Sequence, residues 1–343
     1  MIIVRTPFRV SLFGGGTDYP AWFRENGGMV IAMAVNKYGY LMLHAPDAIF
    51  HKSYKLRYMI NEDVDDIANI DHPSIRECLK FMGNPDCLDV CYSSDLPSMS
   101  GMGSSSSFTV GLLTGLQAMA SKESFNIRNL ADTAIYIEQN RIGEAVGCQD
   151  QIIVAYGGFR YIKFLEDDEL LYSLPQWDIE TIDITKETSR LIENNIFLVY
   201  TGIYRKASDL ASKQIESISK TKEELEAMMA ITYDVYCLLT NDPDTYELEK
   251  YIGENLDKIW NIKRTLTPYI SSPDIDNLYE YGRRNGATGG KLLGAGGGGF
   301  FLFWVPGYNH NIFEKAFRDK SFIKIKIAEQ GTTIVYNDTE IKG

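Results

Sequence analysis

Three glycine-bearing segments, far apart in the chain and each joined to hydrophobic sequence that can hold it rigid, constrain what this polypeptide can fold into. The first runs from Pro7 through Gly14-Gly15-Gly16-Thr17-Asp18 to Tyr19, the second from Leu96 through Gly101-Met102-Gly103 to Ser107, and the third from Lys291 through Gly294 to Gly299. One such loop makes a turn, whereas three that converge describe a pocket where bare backbone approaches a ligand closely. The middle segment is the most informative. Its glycines end in Ser104-Ser105-Ser106-Ser107 and open a stretch in which Phe108, Leu112, Leu116 and Met119 recur at helical spacing, with Gly111 and Gly115 for close packing. Backbone N–H groups and the positive end of a helix dipole would then face the loop, which suits a phosphate. No lysine stands at the Walker A position, and a flexible Gly/Ser linker would not run straight into an amphipathic helix. A hydroxyl in the first helical turn, Ser105 by preference, is placed to coordinate Mg²⁺ beside the phosphates.

At 343 residues the chain is long enough for about two domains with cores of their own. Its 45% hydrophobic and 23% charged residues are the proportions of a soluble globular protein. No apolar run approaches bilayer-spanning length, and Met1 leads into the strand-like Ile2-Ile3-Val4 rather than a secretory leader, so a cytoplasmic location is expected. Five cysteines, without a C-x-x-C pair, argue against a disulfide framework and a zinc site, and four scattered histidines lack metal-ligand spacing. The net charge of −12 repels nucleic acid and anionic membrane at long range, so neither is expected as a partner. A phosphate ligand must therefore be held by a local field.

Strand-like segments at 9–13, 38–44, 56–60 and 88–92 precede helices at 104–120 and from the Asn126 cap to Ile142. Strands are expected again at 159–164 and 195–201, with short strands and loops between them. From Lys206 to Asn285 the pattern is helical, with a Thr221/Glu224 capping box and a helix opened by Ser272-Pro273 and ended by Gly286. The last part reads as strands at 300–305, 322–327 and 332–335 around a helix near 311–318. A boundary near residue 195 divides the chain into 1–195 and 196–343. Two acidic residues stand out. Glu138 extends an apolar helical stripe, which points either to a metal or to an ion pair with Arg141. Asp150, in Gln149-Asp150-Gln151 ahead of an apolar run, reads either as a helix cap or as a carboxylate on a pocket wall.

The three glycine segments, in this order and with Gln149-Asp150-Gln151 between the second and third, resemble the galactokinase, homoserine kinase, mevalonate kinase and phosphomevalonate kinase (GHMP) superfamily over residues 7 to about 303. The resemblance implies an α+β fold of two domains, the first like ribosomal protein S5 domain 2 and the second ferredoxin-like, with ATP in the cleft. It implies ATP contacts from Ser98, Ser100, Gly101, Met102, Gly103, Ser104, Ser105 and Ser106, buttressed by Gly296 and Gly297. Mg²⁺ would be held by Ser105 and Glu138, Asp150 would face the acceptor hydroxyl, and Arg9 would steady Asp150.

Within the superfamily Arg9 is the residue of the sugar kinases, where isoprenoid kinases usually carry lysine. Gly15 and Gly16 stand where galactokinases have Glu and His, which argues against galactose. Thr6-Pro7-Phe8-Arg9, the first glycine segment and Thr201-Gly202-Ile203-Tyr204-Arg205-Lys206-Ala207 are similar to the D-glycero-D-manno-heptose 7-phosphate kinases, which phosphorylate the anomeric C1 hydroxyl; fucokinases share much of this pattern. The acceptor is then expected to be a small sugar or sugar phosphate, held by Gly15, Gly16, Thr17, Asp18 and Asp150, with Arg205 and Lys206 on a distal phosphate. A regulatory homologue that binds ATP without chemistry is the alternative from another class. The presence of Ser105, Glu138 and Asp150 argues against it. Oligomeric state is not legible in the sequence.

Overall fold

The apolar N-terminal sequence forms two long antiparallel strands, β1 (Ile2–Phe13) and β2 (Gly28–His44), connected through the first glycine segment and a short helix, α1 (Pro20–Asn26). Their register shifts directly after Pro7, which has no N–H to give to a ladder, and again near Ser11, so the strands bend where the glycine segment begins. Here and below, the computed structural model describes the chain apart from residues 47–52, 84–86, 99, 121–125, 168–173, 204–206, 242, 321 and 339–343 and the side chains of 207–209.

β3 (Tyr54–Arg57), β4 (Asn61–Val64), β5 (Leu88–Ser94), β6 (Phe159–Phe164) and β7 (Trp177–Thr181) extend this sheet. β5 and β6 pair with different halves of β2, β3 runs parallel to β5, and β7 pairs with β6. Helices α2 (Pro73–Met82), α3 (Ser104–Met119), α4 (Ile127–Tyr136) and α5 (Gln149–Tyr156) belong to the same half, and α3 lies directly on β1 and β2. Gly111 and Gly115 permit that approach. A Cβ at Gly111 would sit 2.6 Å from Thr6 Oγ1, and one at Gly115 2.6 Å from Leu43 Cδ1.

After α6 (Lys186–Asn195), the strands β8 (Ile196–Tyr200), β9 (Gly289–Leu292), β10 (Phe300–Trp304) and β11 (Phe322–Ile323) form a second, antiparallel sheet in the order β11-β8-β10-β9. With them come α7 (Ala207–Ser217), α8 (Lys222–Thr240), α9 (Thr245–Lys263), α10 (Pro273–Arg284) and α11 (His310–Ala316). Trp260, Tyr279, Phe301 and Phe303 make the aromatic core between this sheet and its helices.

Four expectations change. The stretch read as short strands and loops contains α6, capped by the Thr185 hydroxyl; its inward face is Thr188, Ile192 and Asn195, of which only Ile192 is apolar, too little to stand out. The Thr221/Glu224 capping box does not form, because a 3₁₀ turn at Ile218–Lys220 precedes α8 and the Thr221 hydroxyl donates to Ser217 O instead. The strand expected at 322–327 shrinks to two residues before the chain crosses to bridge Val35 through Ile327. Finally, β12 (Thr333–Asn337) pairs antiparallel with β1, so the last segment returns to the first sheet and covers what would otherwise be an open strand edge. The second sheet thus lies after residue 195, and β12, from the same stretch of chain, joins the first sheet.

Candidate active site

The three glycine segments meet. Arg9 N–H donates to Met102 O at 3.0 Å and Phe300 N–H to Ser100 O at 3.0 Å, tying the second segment to β1 on one side and to β10 on the other. Gly101 and Gly294 touch through bare backbone: a Cβ on Gly294 would lie 2.8 Å from Gly101 Cα, and one on Gly101 2.8 Å from Leu293 O. Between the segments lies a cavity of about 320 Å³, a size that takes a small ligand. Gly103 holds a left-handed conformation (φ 73°) at the start of α3, and no side chain caps that helix. Among the described residues no side chain caps the first-turn amides, and Ser104, Ser105 and Ser106 stand on the cavity wall beside them.

β1 delivers Arg9 and the first turn of α5 delivers Asp150. Arg9 Nε donates to Asp150 Oδ1 and Nη2 to Oδ2, each at 2.6 Å, while Nη1 donates to Gly101 O at 2.6 Å. This fork fixes the plane of the carboxylate and ties it to the second glycine segment. Any side chain at Gly103 would press on the pair, since its Cβ would fall 3.0 Å from Arg9 Cγ and 3.3 Å from Asp150 Oδ2. Asp150 is thus the partner of Arg9 on the wall and not the cap of α5, whose N-cap position is Cys148.

Gly15, Gly16 and Asp18 also line the cavity. The buried Asp18 carboxylate accepts from Gly16 N–H (2.9 Å), Gln149 N–H (3.3 Å) and Gln149 Nε2 (3.0 Å). Burial raises its pKa and the charge of Asp150 raises it further, while these hydrogen bonds pull it back. Gly147 leaves the space for it, because a Cβ there would fall 1.9 Å from Asp18 Oδ2. Thr17 turns away from the cavity. Its hydroxyl lies 2.8 Å from Gly14 O and 3.0 Å from Met29 O and accepts Met29 N–H, so it locks the glycine segment onto β2.

Glu138 sits in a π-helical turn, Ile137–Ile142, that follows α4, a wide turn of a kind found frequently at functional sites. Its side chain has no solvent exposure yet reaches the cavity wall. Oε2 accepts from Ser106 Oγ (2.9 Å) and Gln151 Nε2 (2.6 Å), while Oε1 has no partner. Burial pushes the carboxyl up to about 7 against the pull of its hydrogen-bond donors. The ion pair with Arg141 does not form, since Arg141 pairs with Glu77 at 3.0 Å. The hydroxyl that donates to Glu138 is that of Ser106, while Ser105, expected beside Mg²⁺, is exposed on the same cavity wall. An orphaned buried carboxylate oxygen next to a serine hydroxyl is a hard oxygen donor set that fits Mg²⁺.

Of the other residues expected to contact ATP, Gly296 is on the wall, whereas Ser98, Ser100, Met102 and Gly297 are not. Ser98 Oγ donates to Met59 Sδ, Ser100 and Met102 are buried and supply carbonyls to the backbone bonds above, and Gly297 N–H donates to Ile270 O. Arg205 and Lys206 lie outside the described residues. The cavity wall also carries two lysines to which the sequence reading gave no role, Lys263 and Lys291. A signal existed for the first, because Lys263 continues the buried stripe Ile252, Leu256, Ile259 at spacings of four, three and four.

Matches to known proteins agree with this geometry. Residues 74–158 match the model of the GHMP kinases N-terminal domain and 236–319 that of the GHMP kinases C-terminal domain. The D-glycero-alpha-D-manno-heptose 7-phosphate kinase of Campylobacter jejuni is 26% identical over 94% of this chain and 95% of its own length. The bifunctional fucokinase/GDP-fucose pyrophosphorylase of Arabidopsis thaliana is 23% identical over 87% of this chain and 29% of its own. In structure, a D-glycero-D-manno-heptose 1-phosphate kinase from Bacteroides thetaiotaomicron superposes with a TM-score of 0.76 at 17% identity, covering 98% of this chain and all (100%) of the other, which bears on fold alone. Among the described residues no helix is long and apolar enough to cross a membrane. With both family domains in order along one two-domain α+β chain, and their glycine segments gathered around a single cavity, the protein belongs to the GHMP kinases, phosphotransferases that act on an alcohol group.

Proposed function

We propose that this kinase transfers the terminal phosphoryl group of ATP to the anomeric C1 hydroxyl of a sugar, D-glycero-D-manno-heptose 7-phosphate, giving the 1,7-bisphosphate. The observation that carries the reading is the Arg9–Asp150 fork at the mouth of an uncapped helix, which puts one oriented carboxylate beside a phosphate cradle. Similarity to the Campylobacter jejuni heptose 7-phosphate kinase along nearly the whole chain supports the acceptor.

The triphosphate rests on the amides that open α3, within the wall formed by Gly101, Gly103 and Ser104. Glu138 and Ser106 would hold Mg²⁺, which supplies charge neutralisation for the phosphates when bound. Asp18, steadied by the Gly16 amide, binds acceptor hydroxyls against the bare backbone of Gly15 and Gly16, and Arg205 and Lys206 meet the distal phosphate. Asp150 orients the C1 hydroxyl and accepts its proton late, because a loose phosphoryl-transfer transition state demands positioning more than prior deprotonation. Arg9 keeps both oxygens of Asp150 in place and presents its charge to the transferring group.

The test is ADP release with heptose 7-phosphate, free heptose, fucose and mannose. Heptose 7-phosphate is expected to give the highest kcat/KM. Turnover of fucose alone would replace the acceptor and favour the reading suggested by the Arabidopsis thaliana relative. ATP binding without turnover of any sugar would favour a regulatory homologue.

A further inference from the structure

Two amines on the cavity wall take no part in the reaction just described. Lys263, the last residue of α9, is 4% exposed, and its Nζ donates to Leu292 O (2.9 Å) and Gly294 O (2.6 Å), where β9 runs into the third glycine segment. Lys291, on β9, is 1% exposed, and its Nζ donates to Leu12 O of β1 at 3.1 Å. Neither forms an ion pair with a carboxylate among the described residues. The charged groups that face Lys263 are Arg9 from β1, Asp18 from the first glycine segment and Lys291 from β9.

Burying an unpaired ammonium is costly, and a neutral amide side chain could tie a loop to two carbonyls without that cost. An amine differs from an amide in that its charge can follow its surroundings. Burial brings Lys263 down to about 7, with the positive charge of Arg9 adding to the effect and Asp18 opposing it. Lys291 is pushed well below the ordinary lysine range by burial, and the charges of Lys263 and Arg9 push it further. An anion arriving beside Arg9 and the amides that open α3 would offset the charge of Arg9 and reverse the balance at Lys263. A protonated amine also makes hydrogen bonds roughly twice as strong as a neutral one.

We propose that Lys263 is a positioning residue that takes up a proton when a phosphoryl anion enters the pocket and, once charged, grips the carbonyls of Leu292 and Gly294 so that the third glycine segment is set against Gly101. The identity of the anion as phosphoryl rests on the kinase reading, and two sources supply it, the nucleotide and a phosphorylated acceptor. Lys291 remains the donor that ties β9 to β1.

The experiment is titration calorimetry on the full chain at pH 8, in buffers of different ionisation enthalpy. The ligands are Mg²⁺ with the β,γ-imido analogue of ATP, heptose 7-phosphate and inorganic phosphate, each added separately. Wild type is expected to take up a large fraction of a proton on binding at least one of them, and Lys263→Met and Lys263→Arg to take up none. The ligand that elicits uptake identifies the source. In parallel, the ratio of kcat/KM in Lys263→Arg to that in wild type should rise roughly tenfold between pH 6 and pH 8, because arginine stays charged while the ionisation of Glu138 is common to both chains and cancels. A structural role in packing would leave that ratio independent of pH. Uptake that persists in Lys263→Met, no uptake with any of the ligands, or a ratio that does not change with pH would overturn the inference. Uptake on the ATP analogue in a chain that phosphorylates no sugar would retain it and remove the kinase reading.

Discussion

Asp150 and Glu138 are carboxylates on the wall of one cavity, in opposite surroundings. Both oxygens of Asp150 receive N–H groups from a guanidinium, and the side chain is 23% exposed. Among the described residues Glu138 forms no ion pair; one oxygen is shared by two neutral donors, the other lacks a hydrogen bond with only the Thr109 hydroxyl as a further neutral group at the carboxyl, and there is no exposure at all. A carboxylate held by a protein cation is ready to orient a hydroxyl in the resting protein. One held without a cation is incomplete until something positive arrives, and half-charged near neutral pH until it does. The pocket thus separates a residue that aims from a residue that waits.

Five substitutions test that contrast. The largest effect belongs to Asp150→Asn, which keeps the shape but loses the charge that Arg9 grips; turnover should drop by roughly 10²-fold or more with ATP affinity nearly unchanged. Equal loss of nucleotide binding would mean that the pair is structural. Gly103→Ala should follow, because it puts a Cβ against Arg9 and Asp150 on a left-handed residue, at about 1 kcal/mol or more of strain. Steady-state kinetics should show kcat falling with KM for ATP rising.

Glu138→Gln sharpens the other side. The Glu138 carboxyl is raised to about 7 in the folded chain from an ordinary value near 4.5. The folded state therefore holds the proton more tightly, so the contribution to stability is complete below about pH 4 and is lost as pH rises through 7. Glutamine, which never ionises, should raise the melting temperature by a few degrees at pH 8 and leave it unchanged near pH 4. Adding Mg²⁺ should stabilise wild type at pH 8 and not the variant. The smallest effects separate the serines: Ser106→Ala should weaken Mg²⁺ stabilisation several-fold, and Ser105→Ala should stay within about twofold of wild type. The reverse ranking would restore Ser105 as the partner of Glu138.

The glycines were legible because a backbone that must approach another backbone leaves no alternative residue, as at Gly101 against Gly294. Arg9 and Asp150 were individually visible, but they are 141 positions apart and only the family resemblance joined them. Choosing between Ser105 and Ser106 required the phase of α3 against the turn that carries Glu138, and one residue of helix is about 100° of rotation. Lys263 was overlooked for a different reason. It continues the buried stripe of its helix, but a lysine at a helix end also looks like a complement to the helix dipole, and β9 beside it decides between the two. Thr17 misled because hydroxyls in a loop serve ligands and backbone with the same chemistry.

The chain passes between its two sheets twice, once from Thr181 through α6 to Ile196 and once from Ile323 to Ile327, where Asn36 N–H meets Lys326 O. Two covalent spans, with the bonds from Phe300 N–H to Ser100 O and from Lys291 Nζ to Leu12 O, hold the halves together around the cleft. Severing either span by proteolysis should therefore leave the halves associated through those contacts but lower the stability of the whole.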